Sequence, residues 1–320
     1  MSETREIELT LPQVADTPFN DLEGDVVLRT TDGVHFYVHK FLLSLVSPVF
    51  KDLFLLPESK DVSQELFQNK PCISVDDDSC SLFQVLSWCD PRVLSISQKG
   101  EHLQSALRLA DKYDMKCITQ RLEKSLGECM ELINASPIEM YILAIQYGFK
   151  DLAKKAAKAS LSVPLAQRPK IPALREISAT ALHNLYQYHL ACSEAVRSYM
   201  DRELWLNVGG RHEFKEDAYG YYGFADCCAR HPVHRQWLAY LPNYMYEMKW
   251  ELFSMPIGAT IQNPKFQGTL QQSMRNCSSC KDKSAAMTEF LKAVGIGIDS
   301  VVAQVSYHAF NLSIFLEYIC

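Results

Sequence analysis

The chain has 320 residues, of which 48% are hydrophobic and 22% are charged, and its formal net charge at pH 7 is −6. This composition is typical of a globular protein, and it excludes a membrane protein, a disulfide scaffold, a coiled coil and a disordered chain. The acidic balance also excludes a protein that binds nucleic acid through its overall charge. At roughly 150 residues per domain, the length predicts two domains, or three small ones.

The N-terminal residues, MSETREIELT, contain no apolar core of a secretory signal. We therefore expect the eleven cysteines to lie in a reducing compartment, the cytoplasm and/or the nucleus, as free thiols or metal ligands. We assign residues 1–23 to an N-terminal arm. Within it, residues 6–11 alternate between polar and apolar, which fits either an edge strand added to a partner or a frayed tail.

Residues 25–38 predict a β-hairpin. Residues 25–30 form a short run of residues that favour β-strands. In residues 34–38 the side chains alternate, so that Val34, Phe36 and Val38 share one face of the predicted strand and His35 and Tyr37 share the other. Asp32 and Gly33 lie between the two runs. This pair fits a two-residue type I′ turn, in which both residues have positive φ.

Two short helices and a third strand are predicted next. The period changes after the hairpin, and residues 39–43 and 48–54 are expected to be helical. Ser47 is expected to be the N-cap of the second helix, with Pro48 as its first helical residue. The third strand is expected over residues 72–75.

Three more helices complete the predicted domain. One covers residues 80–88 and is capped from the acidic run 76–79; the other two, residues 101–113 and 115–126, carry apolar stripes at helical spacing. A hairpin, a third strand and surrounding helices make an α+β domain with helices packed on a small sheet.

From about Gly24 to Leu126 the chain resembles the BTB/POZ domain family. The resemblance rests on four elements in order: Asp25-Val-x-Leu28, Phe36-x-Val38-His39-Lys40, Leu43, and Ser47-Pro-Val-Phe50. It implies a helical scaffold with a three-stranded sheet over residues 24–130, and a protein–protein interaction role. The alternative is an unrelated α+β domain in which these residues are core and caps. Asp25 and His39 match positions that often line the BTB dimer interface, so they are the candidate interaction surface, although a capping role in a monomer is equally compatible.

The chain departs from animal BTB patterns in two places. The connection over residues 56–70 is long and polar, and Trp88-Cys-Asp-Pro91 stands where many members have an aromatic residue followed by a glycine turn. These variants look most like the BTB proteins of fungi. The hydrophobic-x-Glu element that some members present to cullin-3 is not identifiable, so recruitment of cullin-3 stays an alternative.

Residues 131–203 predict a helical extension. Apolar residues recur at helical spacing over residues 137–160 and 176–200, and the proline-rich stretch 163–172 between them is expected to be a loop. The first helix carries a basic face, which fits a solvated helix side or, alternatively, contact with nucleic acid or a nuclear signal. This face consists of Lys154, Lys155 and Lys158.

A candidate metal site lies in the predicted C-terminal module, residues 204–320. Cys228 and His231 are separated by two residues, as are Cys277 and Cys280. Four such donors fit a closed, structural zinc site, because zinc takes cysteine and histidine ligands in a tetrahedron. Cys227 and His234 are alternative ligands in the first cluster.

Two other interpretations of these cysteines stay open. The thiols are incidental, or the CxxC is a redox pair that lacks its usual βαβ setting. The resemblance supports the metal, because related fungal proteins carry two such pairs, the first followed by a tryptophan, and Trp237 fits that order. The final stretch, residues 301–320, is apolar but interrupted by polar residues, and is expected to be a packed terminal helix.

The expected architecture is α+β, with an N-terminal BTB/POZ domain followed by a mainly helical extension and a zinc-stapled C-terminal module. No set of catalytic residues and no phosphate-binding loop is recognisable. The leading functional hypothesis is a non-enzymatic adaptor or scaffold that binds other proteins or a second copy of itself. The alternatives are a cullin-3 substrate receptor, a transcriptional co-regulator, and a metal-dependent hydrolase or deaminase. No nucleic acid and no membrane is expected as a partner.

Overall fold

The chain divides into two compact units, Met1–Leu132 and Ile133–Cys320. The computed structural model describes residues 13–55, 66–93, 96–97, 99–164, 175, 177–202, 214–216, 222–224, 240–264 and 284–305. Within these ranges, every helix falls short of the length and apolarity that a membrane-spanning helix requires. The predicted domain limits at residues 23, 130 and 203 stay predictions.

A four-stranded sheet lies at the centre of the first unit. Its strands are β1 (Val26–Arg29), β2 (His35–Val38), β3 (Leu66–Phe67) and β4 (Lys70–Ser74), in the order β2-β1-β4-β3. β1 pairs antiparallel with β2 and parallel with β4, whereas β3 and β4 are antiparallel. The hairpin and the third predicted strand are confirmed. The two-residue β3 was not predicted, since it is too short to show an alternating pattern.

Five helices lie within the described part of the first unit, and a sixth crosses the boundary between the units. They are α1 (Lys40–Val46), α2 (Pro48–Leu55), α3 (Ser79–Cys89), α4 (Gly100–Lys112), α5 (Lys116–Glu128) and α6 (Met130–Ala135). The predicted caps are confirmed: Ser47 Oγ accepts a hydrogen bond from Phe50 N (3.1 Å), and Asp78 Oδ1 accepts one from Ser81 N (2.8 Å). Local sequence signals therefore predicted where these helices begin.

The turn of the hairpin differs from the prediction. Gly33 N donates to Thr30 O and Thr30 N donates to Val34 O, both at 3.0 Å, which makes a three-residue connection. Gly33 has a φ of 81° whereas Asp32 does not have a positive φ. The type I′ prediction is therefore wrong, and the turn is a type I turn followed by a left-handed glycine. The Asp32 carboxylate instead accepts hydrogen bonds from Ser79 N (3.0 Å) and Oγ (2.6 Å), at the start of α3.

β2 is buried on both faces. On one face Phe36 packs against Phe19, with 5.8 Å between ring centroids. On the other face His35 stacks on Phe67 at 4.0 Å. All four residues of β2 are buried, so β2 lies inside the fold although it is the end strand of the sheet.

The outer edge of β2 is occupied by residues 13–19 of the same chain. Three backbone hydrogen bonds hold this segment in place: Ala15 N to His35 O (2.9 Å), His35 N to Gln13 O (2.8 Å) and Tyr37 N to Phe19 O (2.8 Å). The alternating residues 6–11, predicted to be an edge strand or a frayed tail, lie outside the described residues.

The second unit is mainly helical. Its helices are α7 (Pro137–Gln146), α8 (Lys150–Ala159), α9 (Ala179–Asp201), α10 (Tyr240–Ser254) and α11 (Ser284–Gln304), with an antiparallel pair of strands, β5 (Phe214–Glu216) and β6 (Tyr222–Phe224). The single helix predicted over residues 137–160 is two helices. Gly148 has a φ of 72° and Phe149 N donates to Ala144 O (2.8 Å), which is a Schellman-type end that stops α7.

Two polar contacts tie α9 to its neighbours in this unit. His189 Nε2 lies 2.8 Å from Ser160 Oγ, and both side chains are fully buried. Ser193 Oγ donates to Phe253 O (2.8 Å), which supports the C-terminal end of α10. Because buried polar groups cost free energy unless they are paired, these bonds specify how the helices pack.

Candidate protein-interaction surface

Asp25 lies where the hairpin meets the first helix. Its backbone N donates to Val38 O (3.1 Å), and its carboxylate Oδ1 accepts a hydrogen bond from Lys40 N (2.7 Å). Lys40 is the first residue of α1, and the preceding residue, His39, makes no side-chain capping bond. Asp25 therefore caps α1 from fifteen residues upstream, and its negative charge is favourable at the start of a helix.

His39 is half-buried and joins β2 to α1. Asp25 precedes β1 and His39 follows β2, so the antiparallel hairpin brings both to the same end of the sheet. In this structure the Asp25 side chain caps the N-terminus of α1. Their predicted role in an interface stays a prediction.

Charged side chains cluster near His39. Arg92 forms a two-pronged ion pair with Asp90 (Nη2 to Oδ2, 2.7 Å) and bonds Asp21 (Nη1 to Oδ2, 2.8 Å). Burial raises the pKa of Asp90, but the hydrogen bonds and the charge of Arg92 outweigh it, so this pKa is lowered. The pKa of Asp21 is lowered chiefly by a hydrogen bond from Glu23 N, with burial opposing and Arg92 assisting.

Ser47 anchors the junction of α1 and α2 to the rest of the unit. It is fully buried, and its Oγ donates to Tyr113 O (2.6 Å) at the end of α4. Phe50 stacks on the Tyr113 ring at 4.5 Å. These contacts fix which sides of α1 and α2 turn inward, with Leu43 and Phe50 as their buried residues.

The outward side of α1 is apolar and exposed, and α2 also carries exposed apolar side chains. Phe41 and Leu45 lie one helical turn apart on α1, and 74% and 71% of their surfaces are accessible to solvent. Val49 and Leu55 on α2 are also exposed. We call these four residues the α1–α2 apolar face. Groups of large, exposed apolar side chains mark interaction sites in soluble proteins.

A concave surface lies between the N-terminal segment and α3. A groove of about 640 Å³ is lined by residues of 17–21, by Phe83 and by Arg92 and Val93. A smaller groove of about 230 Å³ shares Phe83 with it. The Arg92 guanidinium at this groove is already bonded to Asp21 and Asp90, so it offers little free charge to a ligand.

The predicted metal ligands Cys228, His231, Cys277 and Cys280 lie outside the described residues, as do the alternatives Cys227 and His234. Among the residues that the structure describes, no group of three or more His, Cys, Asp or Glu could hold a metal ion. Burial raises the pKa of the Cys89 thiol to about 12 and that of Cys192 to about 11. Both thiols are therefore protonated and unreactive at neutral pH.

Sequence reasoning missed the α1–α2 apolar face. It predicted both helices and named Asp25 and His39, but not Phe41 or Leu45. One signal was available: residues 41–46 read FLLSLV, which is more apolar surface than one inward helix face can bury.

Comparison with known proteins identifies a domain family in the region that contains α1 and α2. Residues 19–129 match the family model of the BTB/POZ domain. No curated protein matches the chain closely enough to count as a relative, and the resemblance to fungal members stays a prediction. BTB/POZ domains are non-catalytic modules that mediate protein–protein interaction and dimerisation. The chain therefore contains a BTB/POZ domain over residues 19–129, and this part of it is a protein–protein interaction module.

Proposed function

We propose that the protein is a non-enzymatic adaptor or scaffold that acts in a reducing compartment and self-associates through the α1–α2 apolar face. The observation that carries this proposal is the exposure of Phe41 and Leu45, each more than 70% accessible, on the outward side of a helix whose inward side is filled by Leu43. The domain assignment supports it, since BTB/POZ domains mediate dimerisation.

Burial of this face contributes favourable free energy to association. Burying a phenylalanine or leucine side chain contributes about 1.5–3 kcal/mol. The large side chains of the face lie on helices that the buried bonds of Ser47 hold in place, so little conformational entropy is lost when they dock. A second copy presents the same face, and a two-fold axis sets one against the other.

The test is the mass of the protein in solution. The double variant Phe41→Asp/Leu45→Asp places two charges on the face, whereas Leu22→Asp places one at an apolar residue that is also exposed, at 60%, but lies outside the face. We expect light scattering to show dimers for the wild type and for the Leu22 variant, and monomers for the double variant, with unchanged circular dichroism.

A double variant that remains dimeric would remove the face from the interface, and a wild type that is monomeric at high micromolar concentration would contradict self-association. Addition of purified cullin-3 to the same samples separates the adaptor from the receptor alternative. A receptor binds it at micromolar affinity or better.

We also propose that Cys228, His231, Cys277 and Cys280 hold a structural zinc ion, on the spacing of these donors alone. Native mass spectrometry is expected to show the mass of one zinc ion per chain, lost on chelation. Cys277→Ser is expected to release the metal and to lower the melting temperature by several degrees. Cys117→Ser, at an exposed free thiol, is the matched control and is expected to change neither.

A further inference from the structure

α10 in the second unit is apolar on two opposite sides. Its inward side is formed by Tyr244, Met245, Met248 and Leu252, all buried. On the outward side Tyr246, Trp250 and Phe253 are 62%, 69% and 42% accessible. Steps of four and three residues keep these three side chains within an arc of about 60° on a helix with 3.6 residues per turn. We call them the α10 aromatic stripe.

Such a stripe is unusual on a free surface. A helix that is apolar on opposite sides is normally covered on both, and aromatic residues dominate the free energy of buried contacts. Lys249, which lies on one flank of the stripe, donates to Asp201 of α9 (2.7 Å). Its side chain is therefore directed towards α9, and the three aromatic rings stay accessible to an apolar partner.

The last fifteen residues of the chain have the composition to cover this stripe. Residues 306–320 read SYHAFNLSIFLEYIC, in which ten residues are hydrophobic and Glu317 alone is acidic or basic at neutral pH. Val305 alone separates them from α11. Their sequence predicts a packed terminal helix, and a segment so apolar needs a surface to pack against.

The chain is long enough to reach the stripe. α11 is held beside the end of α10, because Gly258 N, four residues after Ser254, donates to Asp299 Oδ1 of α11 (2.8 Å). Fifteen residues span about 22 Å as a helix and about 50 Å extended, whereas the stripe is about 10 Å long. A tethered segment also has an effective concentration in the millimolar range, which an external partner must overcome.

A second copy of the chain fits the stripe less well. In a symmetric antiparallel pairing of two α10 helices, each flank meets the same flank of the other copy. Glu247 and Glu251 lie on one flank, and within the described part of the chain neither has an ion-pair partner. Such a pairing would set these carboxylates against their own copies. We propose that residues 306–320 dock onto the α10 aromatic stripe of the same chain.

Site-specific photo-cross-linking tests this directly. The photoreactive amino acid p-benzoylphenylalanine replaces Trp250 in the full chain, and Tyr186, an exposed aromatic residue of α9, is replaced in the control. After irradiation and digestion, mass spectrometry is expected to find position 250 joined to a peptide within residues 306–320 of the same chain, and position 186 not joined to it. A cross-link to another segment, a cross-link between two chains, or no cross-link at position 250 would overturn the proposal.

A truncation provides the second measurement. A chain that ends at Val305 is expected to bind the dye anilinonaphthalene sulfonate severalfold more strongly than the full chain, because the stripe is uncovered. Replacing Tyr246, Trp250 and Phe253 with serine in the truncated chain is expected to abolish the increase. An increase that survives these replacements, or no increase in a truncated chain with native circular dichroism, would contradict the docking. If the truncated chain does not fold, the cross-linking result decides.

Discussion

Two helices of the BTB/POZ domain carry the same apolar spacing with opposite outcomes. On α4, Leu103 and Leu107 are four residues apart and fully buried, whereas on α1, Phe41 and Leu45 are four residues apart and more than 70% accessible. The α4 pair packs in the core. The α1 pair lies on the outward side of its helix, because Leu43 already occupies the inward side. The fold accounts for the first pair, and the proposed association accounts for the second.

The largest expected effect concerns the buried pair. Leu107→Ala leaves a cavity in a close-packed core, and we expect it to lower the free energy of unfolding by about 2–5 kcal/mol. Urea unfolding followed by circular dichroism measures this loss. A loss below about 1 kcal/mol would mean that the core around α4 collapses onto the cavity, and would weaken the contrast with α1.

The exposed pair is expected to respond in the opposite way. Leu45→Ala removes apolar surface that only a partner covers, so we expect the dimer dissociation constant to rise about tenfold, equivalent to about 1.4 kcal/mol. The unfolding free energy of the monomer is expected to change by no more than about 0.5 kcal/mol. Sedimentation equilibrium gives the first quantity and dilute urea unfolding the second. An unchanged dissociation constant would remove Leu45 from the interface.

The position of α1 depends on a capping bond that α4 does not need. Asp25→Ala removes the acceptor for Lys40 N, and we expect a loss of about 1 kcal/mol in unfolding free energy. Asp25→Asn keeps an oxygen acceptor and is the matched control, expected to retain most of that stability. If both variants lose the same amount, the charge of Asp25 matters more than its hydrogen bond.

The smallest expected effect is a pH dependence at the corner that follows α3. The pKa of Asp90 is lowered in the fold, because the bonds to Arg92 outweigh burial. A lowered pKa contributes stability above the unfolded value of about 4, and this stability is lost as the pH falls through the folded value. We expect Arg92→Met to cost about 1 kcal/mol at pH 7 and less at pH 3. Lys116→Met, at an exposed ion pair, is the control, and an equal cost for Arg92→Met at both pH values would contradict this origin.

Much of the fold was predictable because its signals are local. The hairpin, the Ser47 and Asp78 caps and the α4–α5 pair depend on residues close together in sequence. The turn type was missed because an Asp-Gly pair fits both a two-residue type I′ turn and a three-residue connection that ends in a left-handed glycine. The bond between Asp32 and Ser79, 47 residues away, is a non-local contact. The division of α7 from α8 was missed although Gly148 is a local signal for a helix end.

The candidate site was only partly predictable. The motif led to Asp25 and His39, but Phe41 and Leu45 could not be separated from core residues by periodicity. Which side of α1 turns inward depends on tertiary contacts, such as the bond from Ser47 to Tyr113, 66 residues apart. A single sequence shows the spacing of apolar residues along a helix. Which of these residues are buried in the core, and which stay exposed, depends on tertiary contacts.

The segment along β2 has a consequence for how recognition by this domain can change. Since residues 13–19 already take the outward backbone groups of His35 and Tyr37, an incoming strand has to displace them before it can bond to that edge. The proposed recognition at the α1–α2 apolar face depends on side chains, which substitutions can alter without disturbing a backbone ladder. Partner preference can therefore diverge through a few exposed positions while the sheet beneath them stays the same.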